Sequence, residues 1–323
     1  MKQYNIPVFI PHEGCPHDCL FCNQRKITGV VSTVTPEDVK KTVKEYLSYL
    51  PKQDRHVEVA FFGGSFTGLP LDLQEKFYQA ANAFLPQIDG IRLSTRPDYI
   101  NPEVLSLAKR YGVTMIELGA QSTEDAVLSL NHRGHTFQTT CDAVKQIRKA
   151  GIGVGLQMMT GMYGSNPEWD KKSAEKIADL NPDCVRIYPV LVLQGTALED
   201  LWRRGIYTPQ TLEEAVELAK ELLLIFRQRE IPVIRLGLHA GEDLRQEGTV
   251  LAGPFHPAFG ELVESRIRRD AIEEALQKVN PMPALWLVEA SKDEVSKLVG
   301  HKRCNVQYFQ EKYGVTLSVK EKP

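Results

Sequence analysis

Seven short apolar runs, separated by longer amphipathic stretches, constrain this 323-residue chain more than any other feature. Val8 to Ile10, "VEVAFF" (57–62), "IRLS" (91–94), "VTMIEL" (113–118), "IGVGLQMM" (152–159), "CVRIYPV" (184–190) and "PVIRL" (232–236) read as buried strands. The stretches between them carry helix boundaries. Thr35 then Pro36 gives an N-cap followed by proline at the first helical position, and Asn101 then Pro102 repeats it. Gly112 and Gly151 supply C-terminal stops. Strands without polar alternation, each followed by a helix, predict a parallel sheet covered by helices. The fold class expected is therefore α/β, a partial (β/α)6-type barrel; an open doubly wound sheet is the alternative.

The texture changes near residue 240. "HAGEDLRQEGTVLAGPFHPAFGELVES" is rich in Gly and Pro and reads as a connector. An amphipathic helix "RIRRDAIEEALQKV", a strand "ALWLVEA", a helix and a last strand "VTLSV" then form a small C-terminal α+β domain. The expected division is a barrel over 1–240, a connector over 241–265 and the small domain over 266–323. With 42% hydrophobic and 25% charged residues and a net charge of -2, composition is that of a soluble globular protein and argues for no bulk polyanion partner. No apolar run approaches the ~20 residues of a membrane span, and "MKQYNIPVFIPHEG" is not a signal peptide. A cytoplasmic location without membrane contact is expected. In that reducing setting, clustered thiols are metal ligands or redox groups rather than disulfides.

"EGCPHDCLFCNQRKI" (13–27) holds such a cluster, Cys15, Cys19 and Cys22, just after the first predicted strand. In a (β/α) barrel the chemistry sits at the C-terminal strand ends. Three thiolates on one loop can converge on a soft metal centre. Structural zinc needs a fourth ligand, which His12 or His17 would supply. An iron–sulfur cubane takes four cysteines as a rule, so three leave one iron open to a cofactor or substrate. Unrelated core cysteines and a nucleophilic pair are the remaining readings. Cys141, Cys184 and Cys304 lie apart and read as inert thiols.

The pattern C-x3-C-x-aromatic-C, with Phe21 before the last cysteine, resembles the hallmark of radical S-adenosylmethionine (SAM) enzymes. That resemblance, spanning about residues 5 to 240, implies a [4Fe–4S] cluster whose open iron chelates SAM. Reductive cleavage would give a 5′-deoxyadenosyl radical that abstracts hydrogen from a substrate. "FFGGSFTGLP" (61–70) is similar to the Gly-Gly turn of the family, which binds the methionine amino group. "LSTRPD", "ELGAQS", "LNHRGHT" and "GLQMMTGMYG" resemble motifs of the Elongator catalytic subunit and the oxygen-independent coproporphyrinogen oxidase. The resemblance implies Phe21, Gly63, Gly64, Ser65, Ser94, Gln121, Arg133 and Gln157 around SAM. Ser94 and Gln157 stand where the porphyrin enzyme has carboxylates. "RIYPVLVLQGTAL" (186–198) completes the Elongator-like resemblance, which implies either strand backbone groups toward adenine or Arg186 and Tyr188 toward substrate; core or sheet-edge roles are the plain alternatives. The resemblance does not extend to the Elongator acetyltransferase domain, for which this sequence has no room. A flavodoxin or ferredoxin electron donor is implied by the mechanism.

"LVGHKRCNVQYFQEKYGVTLSV" (298–319) resembles a KH domain, whose G-x-x-G loop clamps a nucleic-acid backbone. The loop here, Gly300-His301-Lys302-Arg303, lacks the second glycine, but Lys302 and Arg303 can pair with phosphate. Residues 291–323 hold seven Lys/Arg and four Asp/Glu, a modest positive excess. A packing module without an RNA role is the bland reading. His239 or His256, with Glu242 or Glu261, are acid–base candidates beside the connector. Three functions follow: a radical SAM enzyme on RNA, with transfer RNA foremost; a radical SAM enzyme on a small molecule or peptide; and a zinc-stabilised binding module.

Overall fold

The computed structural model describes residues 2–10, 18–23, 34–238, 244, 246 and 248–322. Strand β1 (Lys2–Ile10) leads to helix α1 (Pro36–Tyr49), β2 (Arg55–Gly63), α2 (Leu71–Asn82), β3 (Gly90–Thr95), α3 (Pro102–Arg110) and β4 (Val113–Gln121). Helices α4 (Asp125–Leu130) and α5 (Phe137–Lys149) precede β5 (Gly153–Thr160), α6 (Pro167–Asp179) and β6 (Cys184–Pro189). The short strand β7 (Val192–Leu193), α7 (Ala197–Arg203), α8 (Leu212–Gln228), β8 (Val233–Leu236) and β9 (Val250–Ala252) follow. The expected capping devices form the helix ends. Thr35 and Asp38 close a capping box around Pro36, the Asn101 side chain accepts from Val104 N, and Gly112 and Gly151 take positive φ.

Seven strands form one parallel sheet in the order β1-β2-β3-β4-β5-β6-β8. The order never reverses, which excludes the doubly wound alternative, whose sheet grows in two directions from a switch point. Such a sheet curls into a partial barrel, and β1 and β8 remain its two ends. Its outer face is apolar. Ile6, Val59, Phe61, Ile91, Leu93, Ile116, Leu156 and Ile187 pack against helix residues such as Phe77, Tyr78, Ile147 and Phe226. Each fully buried side chain of this size contributes roughly 1.5–3 kcal/mol.

The inner face differs from the sequence expectation of uniformly apolar strands. Glu58, Arg92, Glu117 and Arg186 alternate with the outward residues and point into the barrel. Arg92 Nε donates to Glu58 at 2.6 Å and its Nη1 to Glu117 at 3.1 Å. Arg186 closes on the same Glu117 carboxylate, its Nη2 at 3.2 Å, reaching across β5. That reach needs Gly155, where a Cβ would stand 2.8 Å from Glu117 Cγ and 3.0 Å from Cys184 Sγ. The result is a charge-alternating belt across β2, β3, β4 and β6.

A second buried acid clamps the turn after β5. Asp170, 2% exposed, accepts from Gly161 N at 2.9 Å and Ser165 Oγ at 2.6 Å. Burial pushes its carboxyl up to about 6, against the lowering effect of those two bonds. The folded state thus holds this proton more tightly than the unfolded chain. Stability should be greatest below the ordinary aspartate range and fall as pH rises through about 6, by about 3 kcal/mol at most. Urea unfolding between pH 4 and 6 should show this slope, and Asp170→Asn should flatten it.

Beyond the barrel, α9 (Phe259–Gln277) begins seven residues before the amphipathic stretch noted in the sequence. Its first half packs Phe259 and Val263 on Ala215, Val216, Ala219 and Leu223 of α8. Ion pairs Arg266–Glu217 (2.7 Å) and Lys220–Asp270 (2.6 Å) flank that contact. Its second half, Ile272 and Leu276, joins Leu298, Phe309, Val315 and Leu317 in a separate core. This core lies among α9, β10 (Leu285–Ala290), α10 (Lys292–Val299), α11 (Cys304–Tyr313) and β11 (Thr316–Glu321), with β10 and β11 paired in parallel. Among the described residues, no helix is long and apolar enough to cross a membrane.

Candidate functional site

The segment 18–23 is fastened over the C-terminal strand ends. Leu20 N donates to Asn131 O (3.3 Å), Leu198 N to Leu20 O (2.8 Å), and Asn23 Nδ2 to Gln194 O (3.1 Å). Leu20 is buried with Met159, Met162, Val190 and Leu198, and Phe21 packs against the same cluster. Between these anchors the Cys22 N–H closes a turn on Cys19 O at 3.0 Å. Cys19 is buried and Cys22 half-buried, and neither is in a disulfide. Cys15, His12 and His17 lie outside the described residues.

Arg133 meets this turn from the loop between α4 and α5. Its guanidinium donates from Nη1 to Cys19 Sγ at 3.2 Å and from Nη2 to Gly119 O at 2.8 Å. The residue is 5% exposed, and its Nε has no hydrogen-bond partner among the described residues. A buried donor left over beside a thiol marks a place where an acceptor belongs. Next to it, Gln121 occupies a β-bulge with φ 66°, a left-handed backbone uncommon outside glycine. Its Oε1 accepts from Gln157 Nε2 at 3.1 Å. A Cβ at Gly119 would stand 2.9 Å from Gln121 Nε2 and 3.5 Å from Arg133 Nη2, so the glycine is what lets both side chains converge.

Gly63, Gly64 and Ser65 leave the end of β2. Gly64 N donates to Ile10 O at 2.9 Å, and Gly63 has φ 111° with space for a Cβ only 2.6 Å from Ile10 O. Gly63→Ala should lower stability by about 1–3 kcal/mol in urea unfolding; an unchanged midpoint would remove the close-approach argument. The Ser65 hydroxyl is engaged locally, meeting Thr95 Oγ1 at 2.8 Å and accepting from Arg96 N at 3.3 Å. Ser94 is half-buried and pairs in register with Glu117, one row below Gln157.

Cys19 and Arg133 form one bonded pair and Gln121 and Gln157 another, the two meeting at Gly119, with the Gly63 turn and Ser94 on neighbouring strands. Lys302 and Arg303 are elsewhere, exposed on the turn between α10 and α11, both with positive φ. His301 beside them stands edge-to-face on His256 at 5.0 Å. His256 Nδ1 accepts from Ala258 N, so this imidazole caps a turn; His239 and Glu242 lie outside the described residues. Cys184 is buried, and burial, then the Glu117 charge, push its thiol up to about 12, in keeping with an inert thiol.

Sequence reasoning missed two features that support the site. Arg96 grips Asp98 through two nitrogens (3.0 and 2.9 Å) and donates to Arg133 O, so "STRPD" supports the Arg133 loop. The inner belt is the other. Arg186 is bound to Glu117, its Nη1 donates to Tyr188 OH at 3.3 Å, and its guanidinium lies over the Phe62 ring at 5.1 Å, which places both side chains in the barrel interior. A lone charge between outward apolar neighbours, Glu58 in β2, Arg92 in β3, Glu117 in β4 and Arg186 in β6, was the available signal.

Comparison with known families decides what this arrangement belongs to. Residues 9–177, more than half the chain, match the radical SAM superfamily. The chain belongs to that superfamily. Residues 182–269 match the Radical_SAM C-terminal domain. As a radical SAM enzyme it is similar to a tRNA uridine(34) acetyltransferase of Methanocaldococcus infernus, 40% identical over 66% of this chain and 47% of that protein. Elongator complex protein 3 of Saccharomyces cerevisiae is 30% identical over 71% of this chain and 48% of its own length. The chain thus spans about half the length of these curated relatives. Among solved structures, Methanocaldococcus infernus Elp3 superposes with a TM-score of 0.65 at 23% identity, covering 83% of this chain and 63% of that one. Escherichia coli coproporphyrinogen III oxidase (HemN) gives 0.52 at 17%, covering 71% and 53%, and supports the fold alone.

Radical SAM enzymes as a family use a [4Fe–4S] cluster and SAM. The residues here fit such a pair: two thiols on one turn, a guanidinium against one of them with a spare buried N–H, and a glycine turn admitting close backbone approach. Family membership also sets aside the zinc-stabilised binding module.

Proposed function

We propose that this radical SAM enzyme abstracts a hydrogen atom from an RNA substrate, transfer RNA foremost, using a [4Fe–4S] cluster held by Cys15, Cys19 and Cys22. The cluster with SAM supplies reductive opening of a sulfonium and hydrogen-atom abstraction from carbon. The chain's own residues bind and orient. Gly63 and Gly64 offer backbone to the methionine amino group, and Arg133, with donors to spare, holds the carboxylate. The Gln121–Gln157 amide pair and Ser94 address the ribose hydroxyls. Phe21 and Ser65 shape the turns that carry these groups. Flavodoxin or ferredoxin is the donor class. The observation carrying the reading is the single buried guanidinium that bridges the Cys19 thiol and Gly119 while keeping a free donor.

The RNA substrate is supported by the relatives named above and by the Lys302–Arg303 turn, two exposed cations on left-handed backbone between α10 and α11. Bulk transfer RNA should bind the anaerobic protein and be released steeply as salt rises. Replacing Lys302 and Arg303 by alanine should reduce the slope of log affinity against log salt by about 2. Absence of binding at low salt would remove RNA and leave a small molecule or peptide. Deoxyadenosine release after reduction tests the radical step separately.

A further inference from the structure

Arg133 donates to a sulfur, and that contact has a consequence separate from cofactor binding. On the reading that Cys19 ligates the cluster, we infer that Arg133 sets the cluster's reduction potential through its Nη1–H···Sγ bond to Cys19. Reduction places one further electron, delivered by the flavodoxin or ferredoxin donor, on an already anionic cluster. A cation hydrogen-bonded to one of its thiolates favours the more negative form and raises the potential. Burial strengthens the effect, because little water screens a guanidinium that is 5% exposed.

The guanidinium is held in place for this role. Nη2 is tied to Gly119 O at 2.8 Å, and Arg133 N donates to Leu128 O at 2.9 Å. The Arg133 carbonyl accepts from Arg96, itself gripped by Asp98. Gly119 removes the Cβ that would crowd the fork. Lysine, a point charge without a fork, cannot span Gly119 O and Cys19 Sγ together. In this role Arg133 acts through Cys19, separately from its hold on the SAM carboxylate.

The test uses the full chain with its cluster reconstituted without oxygen. Midpoint potentials come from redox titrations followed by electron paramagnetic resonance, with iron counted in every sample. Arg133→Gln should make reduction at least about tenfold less favourable, about 59 mV lower for a one-electron couple, with Arg133→Lys between it and the parent. Parent protein labelled with 15N-arginine should show nitrogen coupling to the reduced cluster in double-resonance spectra, and Arg133→Lys should abolish it. That second measurement decides the matter if Arg133→Gln fails to hold its iron. An unshifted midpoint in iron-replete Arg133→Gln, or no arginine coupling in iron-replete parent protein, overturns this inference alone. Failure of the parent to take up iron overturns the proposed function as well.

Discussion

Cys22→Ala, purified without oxygen, should be colourless and hold less than about one iron where the parent holds about four. Three thiolates are the fewest that fix a cubane while leaving one iron open, so two should not retain it. Cys22 is a cleaner target than Cys19. It is only half-buried at the end of the 19–22 turn, whereas removing Cys19 would also strip a partner from the buried Arg133. The turn is held by Leu20 and Asn23 contacts and by the Cys22 backbone N–H, all of which alanine at 22 keeps, so the apoprotein should unfold within about 1 kcal/mol of the parent. A brown, four-iron Cys22→Ala protein would contradict the ligand assignment. A colourless parent carrying one zinc would contradict the cluster altogether.

The largest stability effect is expected at Glu117. Its carboxylate, 3% exposed, is shared by Arg92 and Arg186. Burial acts against the charged guanidinium of Arg186, but Glu117 outweighs it and keeps that guanidinium charged, so deprotonation offers no escape. Glu117→Gln keeps the volume, removes the charge, and strands a buried cation. The expected loss is about 3–5 kcal/mol in urea unfolding of the apoprotein. Replacing Glu117 and Arg186 together by leucine and methionine should recover most of it, because an apolar pair needs no compensation. A loss below about 1 kcal/mol for the single variant would mean that water reaches the belt.

The outer half of this fold was legible in the sequence, and the inner half was not. Thr35, Asn101, Gly112 and Gly151 announce their helix ends because capping is local chemistry. The strands were found by their outward residues. Glu58, Arg92 and Arg186 sit inside runs that read as buried apolar strands, because ionic partners on other strands leave no local trace. Strands β7 and β9, two and three residues long, are too short to carry a period. At the site, Arg133, Gln121 and Gln157 were found through motif resemblance, while Gly119 and Arg96, which position them, needed coordinates. In the terminal unit the missing second glycine was noted, and Arg303 does adopt the left-handed backbone, φ 63°, that glycine would take without strain.

Helix α9 seats one half on the barrel and the other in the terminal core. The span from the barrel mouth to the Lys302 turn is therefore metered by screw phase. One residue inserted midway would swing the far half by about 100° while advancing it only about 1.5 Å. A polymer anchored at that turn would then approach the mouth from a different bearing, with every atom of the mouth itself untouched.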